Sequence, residues 1–252
     1  PGRAVEPHHL FLPAGGQAAA PDSAPAADTA LRVGLIDGGI DGTQAALSQV
    51  RIVRHGCGGE ARPQRHGTHV ATRLVGGQRA TLYAADLWCA QRVGGDTLAL
   101  VDALRWMARE RVAVVNVSLV GPDNGVLRRT VEALLARGHV LVAAAGNDGP
   151  AAPPRFPAAY PGVVAVAAVD ARGVLLPESA VGAHVAACAD GVVDARTRTR
   201  GTSFAAPLVA RVLAVAYPAM TPGRAAEVSR VLTRAARPAR SSRCGVGIIA
   251  PT

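Results

Sequence analysis

Short runs of β-branched and small apolar residues alternate in this chain with longer segments whose apolar residues recur at helical spacing. Leu31 to Ile36, Thr81 to Leu87, Val112 to Val117, Val140 to Ala145 and Val163 to Val169 are the strand-like runs. The segments starting at His66, Asp96, Val126, Thr202 and Thr221 read as helices. Leu127, Val131, Leu134 and Leu135, for example, share one face of a segment that Gly138 stops. Such alternation predicts an α/β fold, a three-layer sandwich with a mostly parallel central sheet. Residues 30–252 are expected to form one domain. Residues 1–29, rich in Pro, Ala and Gly with no period, read as an extended N-terminal arm or linker remnant.

In open α/β sheets, sites are built where strands end. Leu31 to Ile36 delivers Asp37 there, followed by two glycines. By itself this is also how a turn aspartate looks. His66 opens the next helix. His66 and His69 could suggest a metal, but no third ligand supports one, so no metal and no cofactor is expected. Val140 to Ala145 leads to Asn147, and Gly201-Thr202-Ser203 opens a helix of small residues. A hydroxyl at a helix start usually serves as a cap. It is also well placed for a nucleophile, near the positive end of the helix dipole. Asp37, His66, Asn147 and Ser203 together fit acyl transfer: a nucleophile, its base, an orienting acid and an oxyanion donor.

Composition narrows the rivals. The net charge is +9, and every base is Arg, since the sequence contains no lysine. The arginines are scattered and aromatics are only 3% of residues, so a nucleic-acid partner is not expected. No apolar run approaches the roughly 18 to 20 residues of a membrane span. The chain begins at Pro1 and not at Met, as expected of a mature or trimmed fragment, and any signal or pro-segment would lie upstream. Cys57, Cys89, Cys188 and Cys244 form no C-x-x-C pair. Two disulfides in an exported protein are expected rather than zinc or four buried thiols. Three pairings are open, with Cys57–Cys89 and Cys188–Cys244 preferred.

The segments carrying the candidate residues resemble the subtilisin family of serine peptidases. They are Val33-Gly34-Leu35-Ile36-Asp37-Gly38-Gly39-Ile40-Asp41, His66-Gly67-Thr68-His69-Val70-Ala71 and Gly201-Thr202-Ser203-Phe204-Ala205-Ala206-Pro207. They stand in the family's order, Asp then His then Ser. Asn116-Val117-Ser118-Leu119 looks like its substrate strand, and Ala143-Ala144-Ala145-Gly146-Asn147 like its oxyanion segment. The likeness runs from about residue 31 to about residue 220. It implies Ser203 as nucleophile, His66 as base, Asp37 as orienting acid and Asn147 as oxyanion donor beside the Ser203 N–H. It also implies that Ser118, Leu119 and Val120 pair with an extended peptide, and that Ala144, Ala145 and Gly146 line the primary pocket. The expected function is an exported, monomeric endopeptidase acting on protein or peptide substrates, with an upstream pro-segment or inhibitor as a further partner. Its rivals are a catalytically weak scaffold on the same fold and a peptide ligase or cyclase with the same triad.

The departures from the family carry their own expectations. Val120 stands where a glycine is common, and it could crowd a docking peptide. Arg155 stands where the family places the floor of the primary pocket, which would favour an acidic residue before the cut. Ala45-Ala46-Leu47 and the short Gly76-Gly77 loop lack the oxygen ligands of the family's strong calcium site, so no calcium is expected there. Cys188-Ala189-Asp190-Gly191 replaces the family's Ala-Pro-Gly, and the loop from there to Ser203 is short.

Overall fold

The computed structural model describes residues 12–13, 31–89 and 94–250. In chain order its strands are β1 (Leu12–Pro13), β2 (Leu31–Asp37), β3 (Val50–His55), β4 (Ala80–Asp86), β5 (Val114–Val117), β6 (Leu119–Val120), β7 (Val140–Ala144), β8 (Val164–Val169), β9 (Val185–Asp190), β10 (Val192–Asp194), β11 (Thr199–Arg200), β12 (Ala236–Arg237) and β13 (Ile248–Ile249). The helices are α1 (Arg65–Val75), α2 (Thr97–Arg109), α3 (Gly125–Ala136), α4 (Thr202–Ala216) and α5 (Ala225–Ala235).

Nine strands form one sheet in the order β12-β13-β9-β8-β7-β5-β2-β4-β3. All neighbours in it run parallel except β12, which is antiparallel to β13. A parallel sheet must be covered on both faces, so its inner strands are apolar throughout. β7 and β8 are buried at every residue. One face packs Val33, Leu35 and Val142 against Val70 and Leu74 of α1, Phe204 and Val209 of α4, and Val228 and Leu232 of α5. The other face packs Ile36, Val115 and Leu141 against Leu100, Leu104 and Met107 of α2 and Leu127 and Val131 of α3. This is the three-layer α/β sandwich that the alternation predicts.

The expected arm falls mostly outside the described residues. Its Leu12–Pro13 pairs antiparallel with Leu119–Val120 of β6, apart from the main sheet. The Arg/Thr-rich stretch before Ser203 makes the turn and second strand of the β10–β11 hairpin.

Both preferred disulfides are present, Cys57–Cys89 and Cys188–Cys244. The second ties β9 to the turn before β13 across a separation of 56 residues. Closing a loop of that length restricts the unfolded chain by about 4 kcal/mol in the chain-entropy model. Replacing Cys188 and Cys244 together by alanine is expected to lower unfolding free energy by about that amount, read from urea denaturation curves. A loss below about 1 kcal/mol would show that the bridge does not restrict the unfolded chain.

Candidate active site

β2 ends on Asp37, which is fully buried. Its Oδ1 accepts from the Gly38 N–H at 2.6 Å and from His66 Nδ1 at 2.7 Å. A carboxylate can only accept, so Nδ1 carries the ring proton. The distance is set by how closely α1 approaches the end of β2. A Cβ on Gly67 would stand 2.3 Å from the Gly38 carbonyl oxygen, so only glycine fits there. Thr68 Oγ1 accepts from the Asp41 N–H at 2.9 Å and donates to the Gln64 carbonyl, tying the same helix start to the loop after β2.

Two rings hold the imidazole of His66. Trp88 stacks on it at 5.5 Å between centroids, and Phe204 meets it at 5.1 Å. Trp88 follows β4. Asp86 Oδ1 accepts from the Trp88 and Cys89 N–H groups, and the Cys57–Cys89 bridge closes over that turn. Burial, aided by the nearby Asp37 charge, pushes the Asp86 carboxyl above its ordinary pKa, against those two N–H bonds. His69, the other histidine of the motif, has its pKa lowered by burial and then by Arg65, so it is neutral at neutral pH.

Ser203 lies in the first turn of α4. Neither it nor Thr202 is the cap, contrary to the simplest reading of the sequence. Gly201 occupies that position, with φ at +147°, and has no side chain to offer. Asn147 does the capping from another segment. Its Oδ1 accepts from the Thr202 N–H at 2.9 Å and from the Thr202 hydroxyl at 3.1 Å. With its oxygen held there, the Asn147 carboxamide presents its NH₂ as the free donor. A Cβ on Gly201 would stand 3.0 Å from Asn147 Nδ2, so any larger residue would push the amide away. Thr202 Oγ1 also accepts from the Gly146 N–H, which locks the pocket wall to the helix.

Pro207 sits inside α4 and has no N–H for the carbonyl four residues back, which is that of Ser203. Ser118 Oγ donates to that carbonyl at 3.1 Å, while Asn116 Nδ2 donates to Ser118 Oγ at 2.8 Å. The Ser203 hydroxyl in turn donates to the Ser118 carbonyl at 3.2 Å. The segment from Asn116 to Ser118 and the first turn of α4 are therefore cross-linked in both directions.

Ala144, Ala145 and Gly146 are buried at the end of β7. Arg155 reaches Gly146: its Cγ lies 3.4 Å from where a Gly146 Cβ would be. Its guanidinium does not stand free in the pocket, however. Nε and Nη2 both donate to Asp148 Oδ2, at 2.9 and 2.7 Å. Asp148 is thus a neighbour that the sequence did not point to. Arg73 is another. From α1 it donates to the carbonyls of Phe204, Asp190 and Val192, bracing α4 against β9 and β10.

A hydroxyl at a helix start, a carboxylate-held imidazole and an oriented carboxamide at the carboxyl edge of a parallel sheet are groups that can carry out acyl transfer, the chemistry of the serine peptidases. The chain belongs to the Subtilase family of that class (Peptidase S8), whose family model matches residues 28–247. It is 32% identical over 208 residues to Subtilisin DY of Bacillus licheniformis, covering 73% of this chain and 76% of the relative. It is 33% identical over 169 residues to the Minor extracellular protease Epr of Bacillus subtilis (strain 168). That match covers 60% of this chain but only 26% of Epr. In fold it is similar to the Prenylagaramide maturation protease PagA, with a TM-score of 0.73, 23% identity, and 88% and 91% of the two chains covered.

Proposed function

We propose that residues 30–252 form the catalytic domain of an exported endopeptidase. Ser203 Oγ attacks the substrate carbonyl, and His66 Nε2 takes the proton and returns it to the leaving amine. Asp37 holds His66 in the required tautomer and stabilises its charged form. Asn147 Nδ2 and the Ser203 N–H stabilise the oxyanion, the amide contributing roughly 3 to 4 kcal/mol of barrier lowering. Ser118 to Val120 receive the peptide as an added strand. The observation that carries this reading is the buried 2.7 Å Asp37–His66 contact, with Asn147 aligned through Thr202 beside Ser203. The two disulfides and the likeness to an extracellular relative support export.

For the residue before the cut, Arg155 favours Asp or Glu, but Asp148 competes for the same guanidinium. An exposed pair of this kind contributes about 1 kcal/mol at most. Asp148→Ala is therefore expected to raise kcat/KM for acidic peptides up to about fivefold over neutral ones in a peptide library. A preference for Phe or Leu, unchanged by the substitution, would remove Arg155 from the specificity account. The reading as a whole is tested by mapping new N-termini in a proteome digest. The native chain should generate a consistent set of cuts, and a Ser203→Ala chain none.

A further inference from the structure

The amino edge of the sheet, opposite the edge at which β2 delivers Asp37, holds a cavity of about 390 Å³. Val140, Val164 and Val185, the first residues of β7, β8 and β9, line it with Leu135 of α3 and with Val228 and Leu232 of α5. Gly138 and Thr221 fix the approach of the two helices: a Cβ on Gly138 would stand 2.4 Å from the Thr221 carbonyl carbon. Val246 also lines the cavity and is 37% exposed, so a ligand can enter beside it. A cavity of this size, apolar with a few polar groups, is of the kind that takes a small molecule.

Two ionisable side chains line it, His139 and Arg224. His139 Nδ1 donates to the Val112 carbonyl at 2.6 Å, and burial lowers the ring's pKa, so His139 is neutral at neutral pH. Among the described lining residues Arg224 therefore carries the one charge. Its guanidinium is held in place by the Thr221 hydroxyl, to which Nη2 donates, and by the Tyr217 ring at 4.3 Å. Its Nε, however, is buried with no hydrogen-bond partner. The Glu227 carboxylate stands 3.9 Å from it, beyond hydrogen-bond reach, and is itself half in solvent. A buried cationic N–H that lacks an acceptor is costly, and an anionic oxygen placed there would recover that cost.

We propose that this cavity binds a small aliphatic monocarboxylate, of the chemical class of the medium-chain fatty acids. The carboxylate accepts from Arg224 Nε, and the alkyl chain lies among the valine and leucine methyl groups. The lining selects an alkyl chain over the end of a peptide, whose amide groups would be buried there without partners. It selects a carboxylate over an alcohol, because an ionised acceptor makes the stronger bond to a guanidinium. The guanidinium is already fixed by Thr221 and Tyr217, so binding does not have to order it. The cavity shares no residue with the active site at the other edge, so this inference goes beyond the peptidase reading and stands or falls apart from it.

The test is calorimetric titration of the native chain with octanoate and, separately, with octanol. Octanoate is expected to bind at one site with a dissociation constant of about 1 mM or below, and to raise the melting temperature as its concentration rises. Octanol, with the same chain length and no charge, is expected to bind about tenfold more weakly. Arg224→Gln should weaken octanoate by about the same tenfold and leave octanol unchanged. Val246→Trp, a change at an exposed position, should fill the entrance and remove the binding of both, while cleavage of a neutral peptide stays at the native rate. Melts without ligand show that both variants are folded, and the comparison of octanoate with octanol on the native chain needs no variant. The inference is overturned if the native chain shows no saturable octanoate binding, or binds octanol equally well. It is overturned too if both substitutions leave octanoate binding unchanged, which places the ligand elsewhere on the chain. Tighter binding of acetyl-leucine than of octanoate would make a peptide end the occupant. A native dimer that Val246→Trp converts to monomer, read by light scattering, would make the cavity a contact between copies of the chain.

Discussion

Replacing Ser203 by alanine is expected to lower kcat/KM for peptide hydrolysis by about 10⁴- to 10⁶-fold, the range found when a triad nucleophile is removed. The fold should survive the change. Ser203 is buried, and its hydroxyl donates to the Ser118 carbonyl. Losing that bond costs about 0.5 to 1.5 kcal/mol, a melting-temperature drop of only a few degrees for a chain this size. The neighbouring contact, from the Ser118 hydroxyl to the residue-203 carbonyl, does not involve the lost side chain and remains. Kinetics and a thermal melt on the same preparation check both halves. Residual activity within tenfold of the native chain would place the nucleophile elsewhere.

Asn147→Ala is expected to lower kcat by about 10²- to 10³-fold with KM nearly unchanged. The reason for the split is that the oxyanion exists only near the transition state, so its donor contributes little to substrate binding. Stability is also involved, because Asn147 caps α4. Its removal leaves the Thr202 N–H and hydroxyl without their acceptor, at a cost of about 1 to 3 kcal/mol. Asn147→Asp separates the two roles. It keeps an oxygen for Thr202 and loses the amide donor, so the melt should recover while kcat stays low. A recovery of kcat in the aspartate form would show that Asn147 acts by holding the helix and not through its amide.

The parts of the site that could be read in the sequence are those in which residue type and local pattern coincide. An apolar run leading into Asp37-Gly38-Gly39 already says buried strand and edge carboxylate. The small residues after Gly201 already say a helix packed closely on its surroundings. Parts that depend on distant segments meeting could not be read this way. Val50–His55 lies at the sheet edge and carries Arg51, Arg54 and His55 among its apolar residues, so it gave no continuous apolar signal. Asp148 meets Arg155, and Trp88 meets His66, only after the loops fold together. The pairing of Leu12–Pro13 with β6 involves two residues of a Pro/Ala-rich stretch, too few for any periodicity. Pro207 is an intermediate case. A proline four residues after the candidate nucleophile marks a freed carbonyl, but its partner, Ser118, lies 85 residues away along the chain.

The peptidase account has a direct chemical consequence: the Ser203 hydroxyl, unlike an ordinary helix-start serine, should react with an electrophile that requires an activated nucleophile. The purified chain is treated with a fluorophosphonate, digested with a second protease, and mapped by mass spectrometry. The account predicts one adduct, on Ser203, that disappears in Ser203→Ala and falls sharply in His66→Ala. A folded native chain that carries no adduct on Ser203, or carries it on another serine, would contradict it.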